Sequence, residues 1–539
     1  MNRQMPSDHP IHPYRDFEWS ALAVVVAIGA ALRLWAIGSK SMWMDEAFSV
    51  WVAHLDLPEL LHFVATVDHH PPFYYVLLHF WQTFFSDAPS AVRMLSALPS
   101  IVAVPILYLA GRILVGRRAA MVAALILAGS PIHVRYAQEA RAYSLMTLFA
   151  ACMLWCLAIY LVDSQAGTWR RRFAMAGVAA SQAALMWTHN TAAFLAPTAV
   201  NAAVLVPWCM RRNQPSGLPT TREDHFLRGW LAVQIAAVVL WLPWLPTFMQ
   251  QAGVVYERFW IQPLAPYFVW LTFHNFNLAY PEGWFPGSPW WDLLFWTLAG
   301  AGVYALRRRW AVAYLLATLA LAPALTEILI SFRRPILYDR TILWSTLPYF
   351  LLLGKGVLWL AGEQFGMRRA PSPMSTSPSR LRRGLAVASA ATLAALMTYS
   401  LFAYYTKYEK EDWPAAAAYV AQHVGSGDLL LFHGSWTQIP FDYAARGMLI
   451  GADERGVPAD LFDSGELEAQ MTPQNVPALT GLASDYADVW LVYSHESYTD
   501  PGGLVPATLA KTHRLAEQKD FDGLRILHYV RRWSPPGQH

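Results

Sequence analysis

The chain has 539 residues, 55% of them hydrophobic and 14% charged. Average soluble domains carry about 25% charged residues, so the composition points to a membrane protein. The net charge of +3 conceals a split: residues 406–539 hold 18 acids against 10 Lys and Arg, leaving 30 basic and 19 acidic residues before them. The basic residues sit in short loops between apolar runs, so nucleic acid is not an expected partner.

Runs of about 20 mostly apolar residues mark spanning helices. In chain order they fall at 19–37, 89–111, 119–135, 141–162, 173–189, 191–210, 229–248, 290–306, 311–331, 341–360 and 385–405. The first is long, carries Arg33 and is followed by many others, which does not fit a cleaved signal peptide. The stretch PPFYYVLLHFWQTFF, 71–85, is apolar but short. If it does not cross, the arginine clusters at 112–118, 170–172, 211–228, 307–309 and 368–383 share one side with the N-terminus, and the positive-inside rule makes that side cytoplasmic. It therefore reads as an interfacial helix on the outer leaflet. Four loops then face outward: 38–88, 135–141, 249–289 and 332–340. The three cysteines, Cys152, Cys156 and Cys209, lie in apolar runs and offer no disulfide framework.

Residues 368–384, RRAPSPMSTSPSRLRRG, form a Pro/Ser-rich basic linker before the last span. The expected organisation is a membrane domain, 1–405, and a soluble extracytoplasmic α/β domain, 406–539. In the latter, EDWPAAAAYVAQHV reads as a helix with Pro414 in its first turn, DLLLFHG and DVWLVYSH as buried strands, and LRILHYV as an edge strand. No Walker loop, GxGxxG or Cys/His zinc spacing occurs, so ATP-driven chemistry has no support.

The outer loops carry the residues that need explaining. Asp45 and Glu46 follow the first span in SMWMDEAFSV. Either Asp45 caps the helix that begins there, or one acid faces a cavity while the other pairs with Arg33 or Lys40, since neighbours on a helix point about 100° apart. DHHPPFYY places His69 and His70 before a Pro71–Pro72 corner. A metal site from Asp45, Asp68, His69 and His70 is not favoured, because two adjacent histidines cannot readily share one ion from a regular helix or strand. Outward arginines run against the charge bias: Arg93, then Arg135, Glu139, Arg141 and Tyr143 in RYAQEARAYSL, Arg258, and Arg340 in SFRRPILYDR. Pairing within a loop, Glu139 with Arg141 or Asp339 with Arg340, is the structural alternative. Several arginines in separate loops suit the forked recognition of a phosphate.

The WMDEA pair, the HHPPFYY corner and the run VRMLSALPS…QEARAYSL, together over residues 30–150, resemble the protein O-mannosyltransferases and their bacterial relatives, which belong to the C-type glycosyltransferases. The resemblance implies an all-α polytopic fold of about eleven spans and a polyprenyl-phosphate-linked sugar donor. It implies transfer of a hexose or pentose to a glycan, lipid or protein hydroxyl at the outer face of the cell membrane. Asp45 matches the catalytic carboxylate with Glu46 beside it. His70, Pro71 and Pro72 match the first-loop corner, and Arg141 matches the second-loop arginine. The acid that closes that second-loop motif in eukaryotic members is absent here; Glu139 precedes the arginine instead. Arg141 and Arg340, backed by Arg93 and Arg258, are the expected phosphate ligands, with no cofactor required. The competing reading is a transporter or flippase of a lipid-linked saccharide, but neither paired halves nor broken midplane helices are evident.

Overall fold

The computed structural model describes residues 13–212, 221–257, 261–281, 285–362, 380–463 and 465–532. Arg258, Trp260, Trp284 and most of the basic linker lie outside these ranges. Among the described residues eight helices are long and apolar enough to cross a membrane: Phe17–Leu34, Pro89–Leu114, Tyr143–Leu161, Ala192–Met210, His225–Gly253, Arg307–Ser331, Asp339–Leu360 and Arg380–Thr406. The pair Arg117–Gly129 and Pro131–Ala137, bent by 55°, makes a ninth if counted as one span. The two other expected spans correspond to Thr168–Thr188, diluted by three arginines, and Trp290–Ala305. At about 1.5 Å per residue the latter is some 24 Å long, short of the ~30 Å hydrocarbon core. Length and apolarity alone therefore do not reach eleven.

The aromatic stretch is a helix of 13 residues, Phe73–Phe85, starting directly after Pro72. About 20 Å long, it cannot cross. It buries Tyr74, Tyr75 and Leu78 and exposes Phe80, Phe84 and Phe85, as a helix lying on a surface does.

Polar groups at the ends and bends of the spans find partners inside the bundle. Arg33, fully buried in the first span, donates to the Ala128 and Leu127 carbonyls (2.8 and 3.0 Å) just before the 55° bend, and to Ser100 (2.7 Å). Those carbonyls lose their helical partners where Pro131 breaks the helix, and a buried carbonyl without a donor is costly. Gln138 does the converse, donating to Arg33 O and Trp35 O at the end of the first span while accepting from Tyr404 (2.9 Å). The second outer loop is thus tied on both sides.

After the last span the chain enters helix Trp413–His423, capped by Asp412, which accepts from Ala415 N, with Pro414 in the first turn. A five-stranded sheet follows: β1 Leu429–His433, β2 Asp453–Val457, β3 Asp488–Tyr493, β4 His513–Phe521 and β5 Leu524–Arg531, in the order β2-β1-β3-β5-β4. β1 runs parallel to β2 and β3, and β5 antiparallel to β3 and β4. β1 is buried throughout, with Leu429 and Leu431 in one apolar cluster and Leu430 and Phe432 in another, as expected of a strand covered on both faces. LRILHYV is not an edge: β4 covers it. β4, HRLAEQKDF, is largely exposed and charged, which protects an edge from pairing with another chain.

The sheet domain is docked on the membrane domain. Trp436 and Ile439 share one buried cluster with Met44, Ala47, Phe48 and Val52 of the helix Met44–His54 and with Trp241 and Trp244. Phe462 adds ring contacts to Phe48, Trp51 and Phe63 at 5.1–6.2 Å.

Candidate active site

Asp45 and Glu46 occupy the first turn of Met44–His54, whose N-cap is Trp43; Asp45 is not the cap. The helical step sends the two carboxylates to different surroundings. Glu46 is fully buried and receives both arms of Arg93 (2.8 Å each), Lys410 Nζ (2.7 Å) and the Ala140 amide (2.9 Å). The expected partners Arg33 and Lys40 are engaged elsewhere: Arg33 at the bend, Lys40 at the Tyr408 carbonyl and Glu409. Burial alone would raise the pKa of Glu46, but Arg93 and Lys410 outweigh it and hold the group down to about 2. Lys410 is itself lowered, because its burial and the like charge of Arg93 outweigh Glu46.

This knot corrects two expectations. Arg93 also donates to the carbonyls of Ile37, Lys40 and Ser41 and is 1% exposed, so its guanidinium is spent on holding the first outer loop and does not reach a phosphate. Glu46 is likewise consumed in structure and cannot act as a base on a substrate.

Asp45 remains 25% exposed. Its Oδ2 accepts from Arg340 Nη1 (3.0 Å) and lies 3.8 Å from Arg141 Nε. Burial pushes its pKa up, but Arg141, Arg340, His70 and His495 together hold it below the ordinary aspartate value. Arg141 is placed by the Asp45 carbonyl (3.4 Å), Ser49 (3.3 Å) and His70 Nε2 (3.3 Å). His70 is oriented in turn by Asp68 (3.2 Å), which also accepts from the His69 amide. Asp68, raised by burial and lowered by His70, is held down to about 2. Asn190 and Gln251 grip the His69 and Asp68 carbonyls, fixing the corner that Pro71 and Pro72 complete. Tyr143 stands 5.5 Å from the Arg340 guanidinium and Tyr338 4.7 Å from it.

The loop-internal pairs expected from sequence do not form. Glu139 pairs with Arg135 one turn away (3.0 Å) instead of with Arg141. Asp339 accepts from Tyr136 and Asn275, leaving Arg340 to Asp45. Arg135, within 5.3 Å of the Tyr136 and Tyr408 rings, lines a cavity of about 870 Å³ with Trp43, Asn275, Tyr338 and Lys407. A narrower hollow is lined by His70, Tyr75, Arg141, Tyr143 and His189. Arg141 lines the narrower hollow, whereas the larger cavity is reached only by chain neighbours of the group, Tyr338 and Asp339 before Arg340 and Trp43 before the acidic pair. Among the described residues no three His, Cys, Asp or Glu side chains are placed to hold a metal ion.

The structure thus brings Asp45, Arg141, Arg340, His70 and Tyr143 together, sets Glu46 and Arg93 behind them, and leaves His69 a backbone role. Sequence reasoning missed Lys410, Glu411 and His495. Glu411 accepts from Met44 N (3.1 Å) at the start of the acidic-pair helix and from His495 (2.9 Å). The charged run KYEKED, 407–412, at the exit of the last span was the signal for the first two.

Residues 69–218 match the family model described as dolichyl-phosphate-mannose-protein mannosyltransferase, an interval that includes His70 and Arg141 but neither Asp45 nor Arg340. No curated protein matches the chain. Among solved structures the chain is similar to ArnT from Cupriavidus metallidurans in the apo state (TM-score 0.59, 15% identity, 95% of this chain and 98% of that one). It is similar to the same protein bound to undecaprenyl phosphate (TM-score 0.57, 14% identity, 94% and 98%). The oligosaccharyltransferase of Archaeoglobus fulgidus follows at TM-score 0.53 and 12% identity, over 91% of this chain and 70% of that one. Along nearly its whole length the chain therefore shares the fold of the ArnT structures, as the resemblance to the C-type glycosyltransferases led us to expect.

Proposed function

We propose that the protein is a membrane glycosyltransferase that moves a sugar from a polyprenyl-phosphate carrier to an acceptor hydroxyl, with inversion at the anomeric carbon. The observation that carries the reading is a partly exposed carboxylate held between two guanidinium groups from separate loops. The match to a mannosyltransferase model and the likeness to a protein solved with undecaprenyl phosphate support it.

In this reading Asp45 takes the proton of the acceptor hydroxyl as that oxygen attacks the anomeric carbon. The bond to the carrier phosphate breaks on the opposite face, and the electron pair leaves on the phosphate. Arg141 and Arg340 meet the charge that develops there, a preorganised electrostatic effect that costs no reorganisation during reaction. Because both arginines already touch Asp45, one constellation sets the distance between base and leaving group. The outward loops and the C-terminal domain face the extracytoplasmic side of the cell membrane, and the arginine-rich loops the cytoplasm, as the charge bias requires.

The test gives the full-length protein in lipid vesicles a polyprenyl-phosphate sugar and a hydroxyl acceptor, and measures free polyprenyl phosphate. Release that requires the acceptor is the expected result. Release of none, or movement of the intact lipid-linked sugar across the bilayer without its cleavage, would overturn the reading.

A further inference from the structure

Two histidine rings of the site, His70 and His189, stand edge to face with centroids 5.3 Å apart, and their nitrogens are used in opposite ways. His70 is fully engaged: Nδ1 donates to Asp68 Oδ1 (3.2 Å), and Nε2 accepts from Arg141 Nη2 (3.3 Å). His189 sits in the turn between helices Thr168–Thr188 and Ala192–Arg212. Its Nδ1 accepts the backbone N–H of Thr191 (3.2 Å) and lies 2.9 Å from the Thr191 hydroxyl. A backbone N–H can only donate, so this nitrogen carries no proton. The ring is therefore neutral with its hydrogen on Nε2, because the bond made by one ring nitrogen sets the state of the other.

That N–H is a donor in search of a partner. Among the described residues nothing accepts from Nε2, although the side chain is only 8% exposed. A polar group buried in this way is costly unless something meets it. Nδ1 faces its own turn, which leaves the Nε2 edge of the ring to the narrower hollow that His189 lines with Arg141 and Tyr143. The Tyr143 ring is 6.1 Å from the His189 ring and 5.5 Å from the Arg340 guanidinium, so the imidazole belongs to the constellation around Asp45. The hollow encloses about 10 Å³, space for one water-sized atom.

We propose that His189 is a ligand of the donor's phosphate: its Nε2–H donates to a phosphoryl oxygen seated in the narrower hollow, which Arg141 reaches from another wall. The proposal rests on the transfer reading above and adds a neutral donor to its two guanidinium groups. The chemistry of the walls selects the atom. Arg141 and the Nε2 edge of His189 can only donate, so the atom between them must be one that only accepts. An ionised phosphoryl oxygen is such an atom, and its charge strengthens each bond it receives. The acceptor hydroxyl is not, since its proton has to leave toward Asp45.

The experiment titrates the full chain in detergent with undecaprenyl phosphate and with undecaprenol, the same lipid without the phosphate, and follows binding by calorimetry. Wild type is expected to prefer the phosphate. In His189→Ala that preference falls about tenfold, the size of one hydrogen bond to a charged group. His189→Gln, whose amide donates from nearly the place of Nε2, keeps most of it. His189→Met fills the space of the ring without donating, and replaces the alanine variant should that one fail to fold. In turnover the same loss raises KM for the donor and leaves KM for the acceptor unchanged. An unchanged preference in the alanine or methionine variant overturns the proposal and leaves the hollow to a water molecule. So does an equal loss of phosphate and polyprenol binding, the mark of a merely structural role, and so does a glutamine variant as weak as alanine. If wild type binds the phosphate no better than the polyprenol, the phosphate site of the transfer reading fails and takes this proposal with it. If the preference is present and falls in the variants while wild type transfers no sugar, the transfer reading alone falls.

Discussion

Two adjacent acids, Asp45 and Glu46, end in opposite settings because one helical step turns them about 100° apart. Asp45→Asn keeps size and removes the base. It should lower kcat by the 10²–10⁴-fold typical of a positioned proton acceptor, read as polyprenyl phosphate release, and, by leaving Arg141 and Arg340 without their counter-charge, lower the melting temperature as well. Because Arg141 and Arg340 outweigh the burial of Asp45, its limb in kcat/KM lies below the ordinary aspartate value of about 4. Glu46→Gln leaves Arg93 and Lys410 buried with no counter-charge, and should cost about 3–5 kcal/mol of stability. Its carboxylate is held down to about 2 against an ordinary 4.5. The stabilisation is therefore complete above 4.5 and lost as pH falls toward 2, so the variant's deficit should be full at pH 7 and shrink in acid. Since two guanidinium groups serve the leaving phosphate, we expect turnover to survive a chelator such as EDTA; loss of activity restored by one divalent ion would reassign that work to a metal.

At the scale of elements, the helix positions were legible because each is a long apolar run, and the residues interrupting those runs pointed to the site. Asp45, Arg141 and Arg340 stood out because a charge at a membrane exit is rare. The pairing of Glu46 with Lys410 could not be read: the two lie 364 residues apart, and nothing local joins them. The short strand β2 and the charged strand β4 were missed for a related reason, as neither carries enough apolar residues to show a period. Span count depends on packing that sequence does not display. Trp290–Ala305, too short by length, is carried by close contact with Thr346–Leu360. A Cβ on Gly302 would overlap the Leu352 carbonyl, and one on Gly356 the Leu298 carbonyl, so the helices cross backbone to backbone. Gly356→Ala should separate them and cost about 1–3 kcal/mol, seen as a lower melting temperature, and the double variant with Gly302→Ala should cost less than the sum because the first already opens the crossing.

On the scale of the molecule, the sheet domain and the bundle meet through the helix that carries Asp45. One face of Met44–His54 holds the acids; another is covered by Trp436, Ile439 and Phe462. Position along this helix is therefore set from both domains, and the charged links Lys410–Glu46 and Glu411–Met44 N reinforce the apolar seam. If the sheet domain were an appendage, loosening the seam would leave turnover unchanged. If it fixes the helix, loosening must reach Asp45. Trp436 is buried at the centre of the seam, 5% exposed, and its truncation to alanine should cost about 3–5 kcal/mol of docking. That loss is confined to the seam, since Trp436 lies outside the two clusters that make the sheet's own core. We therefore expect Trp436→Ala to retain folded domains yet to be cut faster by protease in 458–472, and to lose kcat with little change in the affinity for polyprenyl phosphate, which the bundle loops hold. Phe462→Ala, at the edge of the same seam, should do so more weakly. Equal kcat and equal protease resistance in both variants would show that the sheet domain does not position the acidic-pair helix.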